Sequence, residues 1–200
     1  MVSWLGFSFS LFAYSTLFFL SALPKKKTTP HFCVAIFSVV GMGWSGINLL
    51  ILNGYLHYHW EYWAESIKLL SATLLMLSLL NQKHKTLASL TCQSSFLFIS
   101  VFALCIPLFF SFNLITKSWF YIGFLGLTVS VLILLEILYR HAKNALWSLK
   151  PLLLALGTLV IFDFIVYANA SLVLEINIDM WNARPYLHAT LIPLILWSLK

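Results

Sequence analysis

Charge is scarce in this chain: twelve Lys and Arg and six Asp and Glu stand among 200 residues. A soluble domain carries about a quarter of its residues as charges, so there is too little polarity here to cover a water-facing surface. Cysteine and glycine are few as well. Cys33, Cys92 and Cys105 lie within apolar runs without CxxC spacing, which points away from a disulfide framework and from a zinc site. The eight glycines lie in or beside apolar runs and form no loop that could cradle a phosphate. The amino-terminal apolar run lacks a basic leader and a small-residue cleavage motif, so it reads as a retained helix, not a signal peptide.

What the chain does have is hydrophobicity, at 61% of its residues, with 17 Phe and 8 Trp. Runs of about 20 apolar residues are needed to cross ~30 Å of hydrocarbon. Seven such runs are expected, at about residues 2–23, 31–53, 61–81, 86–112, 119–139, 151–172 and 181–199. Backbone groups in lipid must be satisfied within the segment, so these are helices. The fold class expected is an all-α membrane protein, a single polytopic domain over residues 1–200 built as a bundle of seven transmembrane helices.

Basic residues set the orientation. One set of loops and ends holds Lys25, Lys26, Lys27, Lys83, Lys85, Arg140, Lys143, Lys150 and Lys200, and the other only Lys117 and Arg184. Nine against two places the amino terminus outside and the carboxyl terminus in the cytoplasm, in a multi-pass protein of the bacterial inner membrane. The basic residues punctuate apolar runs and form no single patch, so nucleic acid is not an expected partner and the lipid bilayer is.

Polar residues inside the spans are the candidates for function, because each ionisable group in a bilayer costs roughly 2.5–3.5 kcal/mol on insertion scales. Counting along the helices puts Glu65, Lys68, Asp163, Arg184 and His188 in the outer half of the bundle, and Tyr167 shares a helix face with Asp163. Two readings stay open. The pairs Glu65–Lys68 and Asp163–Arg184 fix helix packing as buried ion pairs, or the cluster forms a polar pocket that opens outward and binds a ligand or senses a proton. Asp163 is expected to pair with a cation, with Arg184 first and Lys68 otherwise. Glu136 and Arg140 read as a local pair at a helix end. His57 and His59 alternate with Tyr55, Tyr58 and Trp60, a spacing that fits an interfacial aromatic belt and only weakly a metal site. Small residues four apart, Gly41 with Ser45 and Gly126 with Ser130, allow close helix approach.

The carboxyl-terminal third carries a motif series: Glu136-x-x-Tyr139-Arg140, then Lys150-Pro151-Leu152, Gly157, Asp163, Tyr167 and Ala170. Ile178-Asp179-x-Trp181-x-Ala183-Arg184 follows, with Ala189 and Pro193-Leu194 beyond. Over residues 136–200 this resembles the amino-terminal membrane region of the sensor histidine kinases of the PEP-CTERM/exosortase system (the PrsK family), and more weakly over 1–135. The resemblance implies a membrane-embedded input domain that relays a periplasmic or membrane signal to a cytoplasmic kinase core absent from this chain. It also implies a homodimer through the parent kinase, a response regulator as downstream partner, and no catalytic residue or cofactor in these 200 residues. Pro193 in the last helix is a candidate relay point, since it removes a backbone hydrogen bond and allows a bend. Two other classes stay in view. One is a small transporter, against which an odd helix count weighs. The other is an exosortase-like intramembrane transpeptidase using Cys105, Arg184 and His188, although the local motifs of that family are missing around Cys105.

Overall fold

The computed structural model describes residues 2–22, 29–80, 87–141, 149–173 and 175–198, and all of its regular structure there is helical. The helices are α1 (Val2–Ala22), α2 (Thr29–Leu52), α3 (His59–Leu80), α4 (Leu87–Thr91), α5 (Ser94–Ser111), α6 (Lys117–His141), α7 (Leu149–Val173) and α8 (Ile178–Ser198). The basic residues Lys25, Lys26, Lys27, Lys83, Lys85, Lys143 and Lys200 lie outside the described residues. Arg140 and Lys150 do not belong to a loop as expected; they close α6 and open α7.

Six helices among the described residues are long and apolar enough to cross a membrane: α1, α2, α3, α5, α6 and α7. The chain is therefore a multi-pass membrane protein in contact with the lipid bilayer. One expectation needs correcting. The run over 86–112 is not one helix, because the backbone turns extended at Gln93 (φ −68°, ψ 134°) and divides it into the five-residue α4 and the 18-residue α5. The seventh run forms the 21-residue α8, but Asp179, Asn182, Arg184 and His188 make it less apolar than the other six.

Sequence explains where the helices stop. At the end of α2, Gly54 takes φ +75°, its N–H donates to the Ile51 carbonyl at 3.0 Å, and the Tyr55 N–H donates to Leu50 at 2.9 Å. This is the Schellman arrangement, which uses glycine's freedom at positive φ. Asn113 (φ 56°) repeats it after α5, with Asn113 N–H to Phe110 at 3.0 Å and Leu114 N–H to Phe109 at 2.8 Å. The start of α8 is capped by Asn177, whose side-chain oxygen accepts from the N–H groups of Asp179 and Met180 at 3.0 and 3.2 Å.

In cross-section α1, α2, α3, α6, α7 and α8 pack in turn, and α8 returns to α1 to close a ring; α5 packs on α3 and α6. α3 is the most enclosed helix and α5 the least, with Phe98, Val101 and Phe109 of α5 exposed where lipid would lie. Several buried serines and threonines bond carbonyls of their own helix, as Ser38 does to Val34 and Thr73 to Leu69, so these need no outside partner. The Gly41–Ser45 face meets α1 closely. A Cβ on Gly41 would overlap the Tyr14 ring, and Ser45 donates to Ser10 at 3.0 Å. Gly126 is looser, its nearest neighbour being Phe102 at 3.6 Å.

Candidate functional site

Four charges meet at the centre of the ring. Lys68 Nζ lies 2.9 Å from Glu65 and 3.3 Å from Asp163, while Arg184 bonds Glu65 and stands 3.7 Å from Asp163. All four side chains are buried. Each acid thus faces both bases, and the tetrad is neutral as a whole. It joins α3, α7 and α8. Glu65 and Arg184 both sit six residues inside the starts of their helices, and Asp163 ten residues before the end of α7. That places the network about 9–15 Å in from the end that carries Gly54 and Asn177.

Aromatic side chains complete the surroundings. The Trp44 indole N–H donates to Glu65 at 2.5 Å, and its ring lies 4.4 Å from Lys68 Nζ. Arg184 lies over the Trp181 ring at 3.8 Å and 5.6 Å from the Trp44 ring. A guanidinium is flat and weakly hydrated, so it tolerates aromatic neighbours better than an ammonium would. Trp181 in turn donates to Glu61 at 2.7 Å.

His188, one turn beyond Arg184, is hydrogen-bonded through Nδ1 to the Tyr14 hydroxyl at 2.6 Å and packs on Trp44 at 4.8 Å. The network therefore reaches α1 as well as α2. Tyr167 is fully buried beside it, stacked on Phe124 at 4.9 Å and edge-on to Trp181. Near the same end, Ser3 donates to Asn182 at 2.9 Å and Tyr186 donates to the Val2 carbonyl at 2.6 Å, which fastens α8 to α1.

The structure brings Glu65, Lys68, Asp163, Tyr167, Arg184 and His188 into one region. It does not pair the charges two by two as the sequence spacing predicts; the pairing is shared across the tetrad. The interior cavity touching the tetrad, between Lys68, Asp163 and His188, holds only about 20 Å³. That is room for about one water. A cavity of that size does not hold a ligand larger than water.

The remaining candidates fall elsewhere. Pro193 is exposed, and α8 continues as helix through both Pro185 and Pro193. His57 and His59 stack at 4.6 Å near Tyr58, and no group of three metal-ligating side chains occurs among the described residues. Cys105 is half-buried on α5, whose neighbours are α3, α4 and α6, whereas α8 packs on α1 and α7. Cys105 shares no hydrogen bond or ion pair with Arg184 or His188 among the described residues. Glu136 and Arg140 pair at 2.6 Å on the exposed surface of α6.

Sequence reasoning missed Tyr14, Trp44 and Glu61. A signal existed for the first two: Trp44 and Tyr14 stand deep within their spans, away from the headgroup level where Trp and Tyr gather, so each needs a polar partner inside. Compared with protein-family models, curated proteins and solved structures, the chain gives no significant match.

Proposed function

We propose that this chain is the membrane-embedded input domain of a sensor histidine kinase, with the central charge network as the element that a signal biases. The observation that carries the reading is the neutral tetrad that ties α3, α7 and α8 together in the membrane interior. Buried ion pairs are weak stabilisers against well-packed hydrophobes, so a tetrad at this depth needs another purpose, and a switch between pairings is one. The resemblance over residues 136–200 supplies the functional class.

The proposal includes seven crossings, with the amino terminus outside. At 21 residues α8 is about 31 Å long, enough to span the hydrocarbon. Its low apolarity does not oppose this, because Arg184 and His188 are buried against α1, α2, α3 and α7, not presented to lipid. Nine of the eleven loop and end basic residues then face the cytoplasm. α8 carries the relay: it holds Arg184 in the network and leads toward the cytoplasmic face, where a kinase core would follow. In this scheme the kinase dimerises and hands its phosphoryl group to a response regulator.

Relay through a helix is sensitive to its rotation. Alanines inserted one at a time after Ser198 turn whatever follows by about 100° each. Autophosphorylation of the kinase-bearing protein in membranes should rise and fall over four insertions, returning toward wild type near the fourth. Equal output from all four, with equal membrane insertion, would remove α8 as the relay.

A further inference from the structure

Hydrogen-bond donors are shared unevenly between the two acids of the tetrad. Glu65 accepts from the Trp44 N–H at 2.5 Å and from the Arg184 guanidinium on one oxygen, and Lys68 stands 2.9 Å from the other. Asp163 is buried too, yet it accepts no side-chain hydrogen bond among the described residues; Lys68 is 3.3 Å away and Arg184 Nη1 3.7 Å. Three donors in the same cluster go unused: Arg184 Nε, Arg184 Nη1 and the Tyr167 hydroxyl are buried without a hydrogen bond. Tyr167 follows Asp163 by one turn of α7, and its hydroxyl lies within interaction range of the Arg184 guanidinium. Buried polar groups nearly always find a partner, so three orphans around one guanidinium ask for an explanation.

We propose that Tyr167 positions a second pairing of the tetrad, in which Arg184 leaves Glu65 and turns its two terminal nitrogens onto Asp163. The move is short, since Nη1 is about an ångström outside charge-assisted bonding distance. A guanidinium fork meets a carboxylate with two parallel N–H bonds, and Nε–H is then left to donate to the Tyr167 hydroxyl. All three orphans are satisfied in that arrangement. Glu65 is not stranded, because Lys68 and the Trp44 N–H stay on it. Each acid keeps a cation, so neither pairing buries a lone charge, and the two can lie close in free energy. The cavity of about 20 Å³ against Asp163 gives its carboxylate room to turn. The first pairing ties α8 to α3, and the second ties it to α7. The inference rests on the reading of the network as a switch and supplies its two positions.

The test is fluorine NMR of the full chain in detergent, with fluorotryptophan at the Trp positions and the Trp181 signal assigned by its loss in Trp181→Phe. Trp181 is the reporter because Arg184 lies 3.8 Å over its ring. Wild type should give two Trp181 signals, or one broadened by exchange. Asp163→Asn should leave the signal of the Glu65-paired state alone. Tyr167→Phe keeps every charge and the ring, and should cut the second population about tenfold, the size expected for one hydrogen bond to a charged group. In the Asp163→Asn background the same change should move nothing, because no second pairing is left for the hydroxyl to hold. A single narrow wild-type signal at all temperatures, populations unchanged in Tyr167→Phe, or an equal effect in both backgrounds would each overturn the proposal. The first two outcomes need no charge-removing variant, so they decide even if Asp163→Asn does not fold. Autophosphorylation of the kinase-bearing protein separates the two readings. Altered Trp181 populations with unchanged output would remove the network from signalling and leave the second pairing in place.

Discussion

Taking one charge out of the tetrad leaves its partners buried and uncompensated. Arg184→Gln strips Glu65 of one of its two cations, and Asp163→Asn leaves Lys68 and Arg184 sharing a single acid. Breaking a buried pair from one side costs about 3–5 kcal/mol. Each single variant should therefore melt well below wild type in detergent, followed by tryptophan fluorescence or circular dichroism. The double variant Glu65→Gln/Arg184→Gln keeps the site neutral and should lose less than the sum of its single variants. Strict additivity would mean that the two groups do not interact. Gly41→Ala presses on Tyr14 and should loosen its bond to His188, at about 1–3 kcal/mol, while Gly43→Ala, which meets nothing within 4 Å, should be neutral. At this scale the sequence was informative about which residues matter and poor about partners. An isolated Lys or Asp in an apolar run announces itself by its insertion cost. Which of two cations an acid chooses depends on how α3, α7 and α8 turn toward one another, and no local pattern records that.

Among the elements, the split between α4 and α5 gives a native probe. Cys92 sits exposed at the break, whereas Cys33 is buried and Cys105 half-buried. With the amino terminus outside, Cys92 faces the cytoplasmic side, six residues after the 81–86 segment. A membrane-impermeant maleimide should label Cys92 in inverted vesicles and fail to do so in intact cells; labelling in the opposite pattern would reverse the orientation. The break itself was not read, because it carries neither Gly nor Pro; the only sign of it is the polar stretch Thr91, Gln93, Ser94 and Ser95. The ends of α2 and α5 were readable from Asn53-Gly54 and Asn113, residue types that tolerate the left-handed conformation a Schellman end requires. The last helix shows why hydropathy alone falters: Arg184 and His188, two of the residues that lower its apolarity, are turned inward.

For the whole molecule, the membrane class followed from composition, since a chain with so few charges has no other stable home. The ring closure of α8 onto α1 did not follow, because the contacts that make it, Tyr14–His188 and Tyr186 to Val2, link residues more than 170 positions apart. Reporter fusions after Lys150 should read as cytoplasmic and one after Tyr58 as periplasmic; a periplasmic signal at Lys150 would sink the seven-crossing arrangement. The central claim is that the charge network is a switch and not only a clasp between helices. A clasp and a switch both lose stability when a charge is removed, so melting temperature does not separate them, but output does. The deciding measurement is autophosphorylation of the kinase-bearing protein in membranes, comparing wild type with Arg184→Gln and Pro193→Ala at matched expression. A switch predicts that Arg184→Gln shifts basal output several-fold and that Pro193→Ala changes the stimulated response, because restoring the backbone hydrogen bond that Pro193 removes stiffens α8. Basal and stimulated output unchanged in both variants would contradict it.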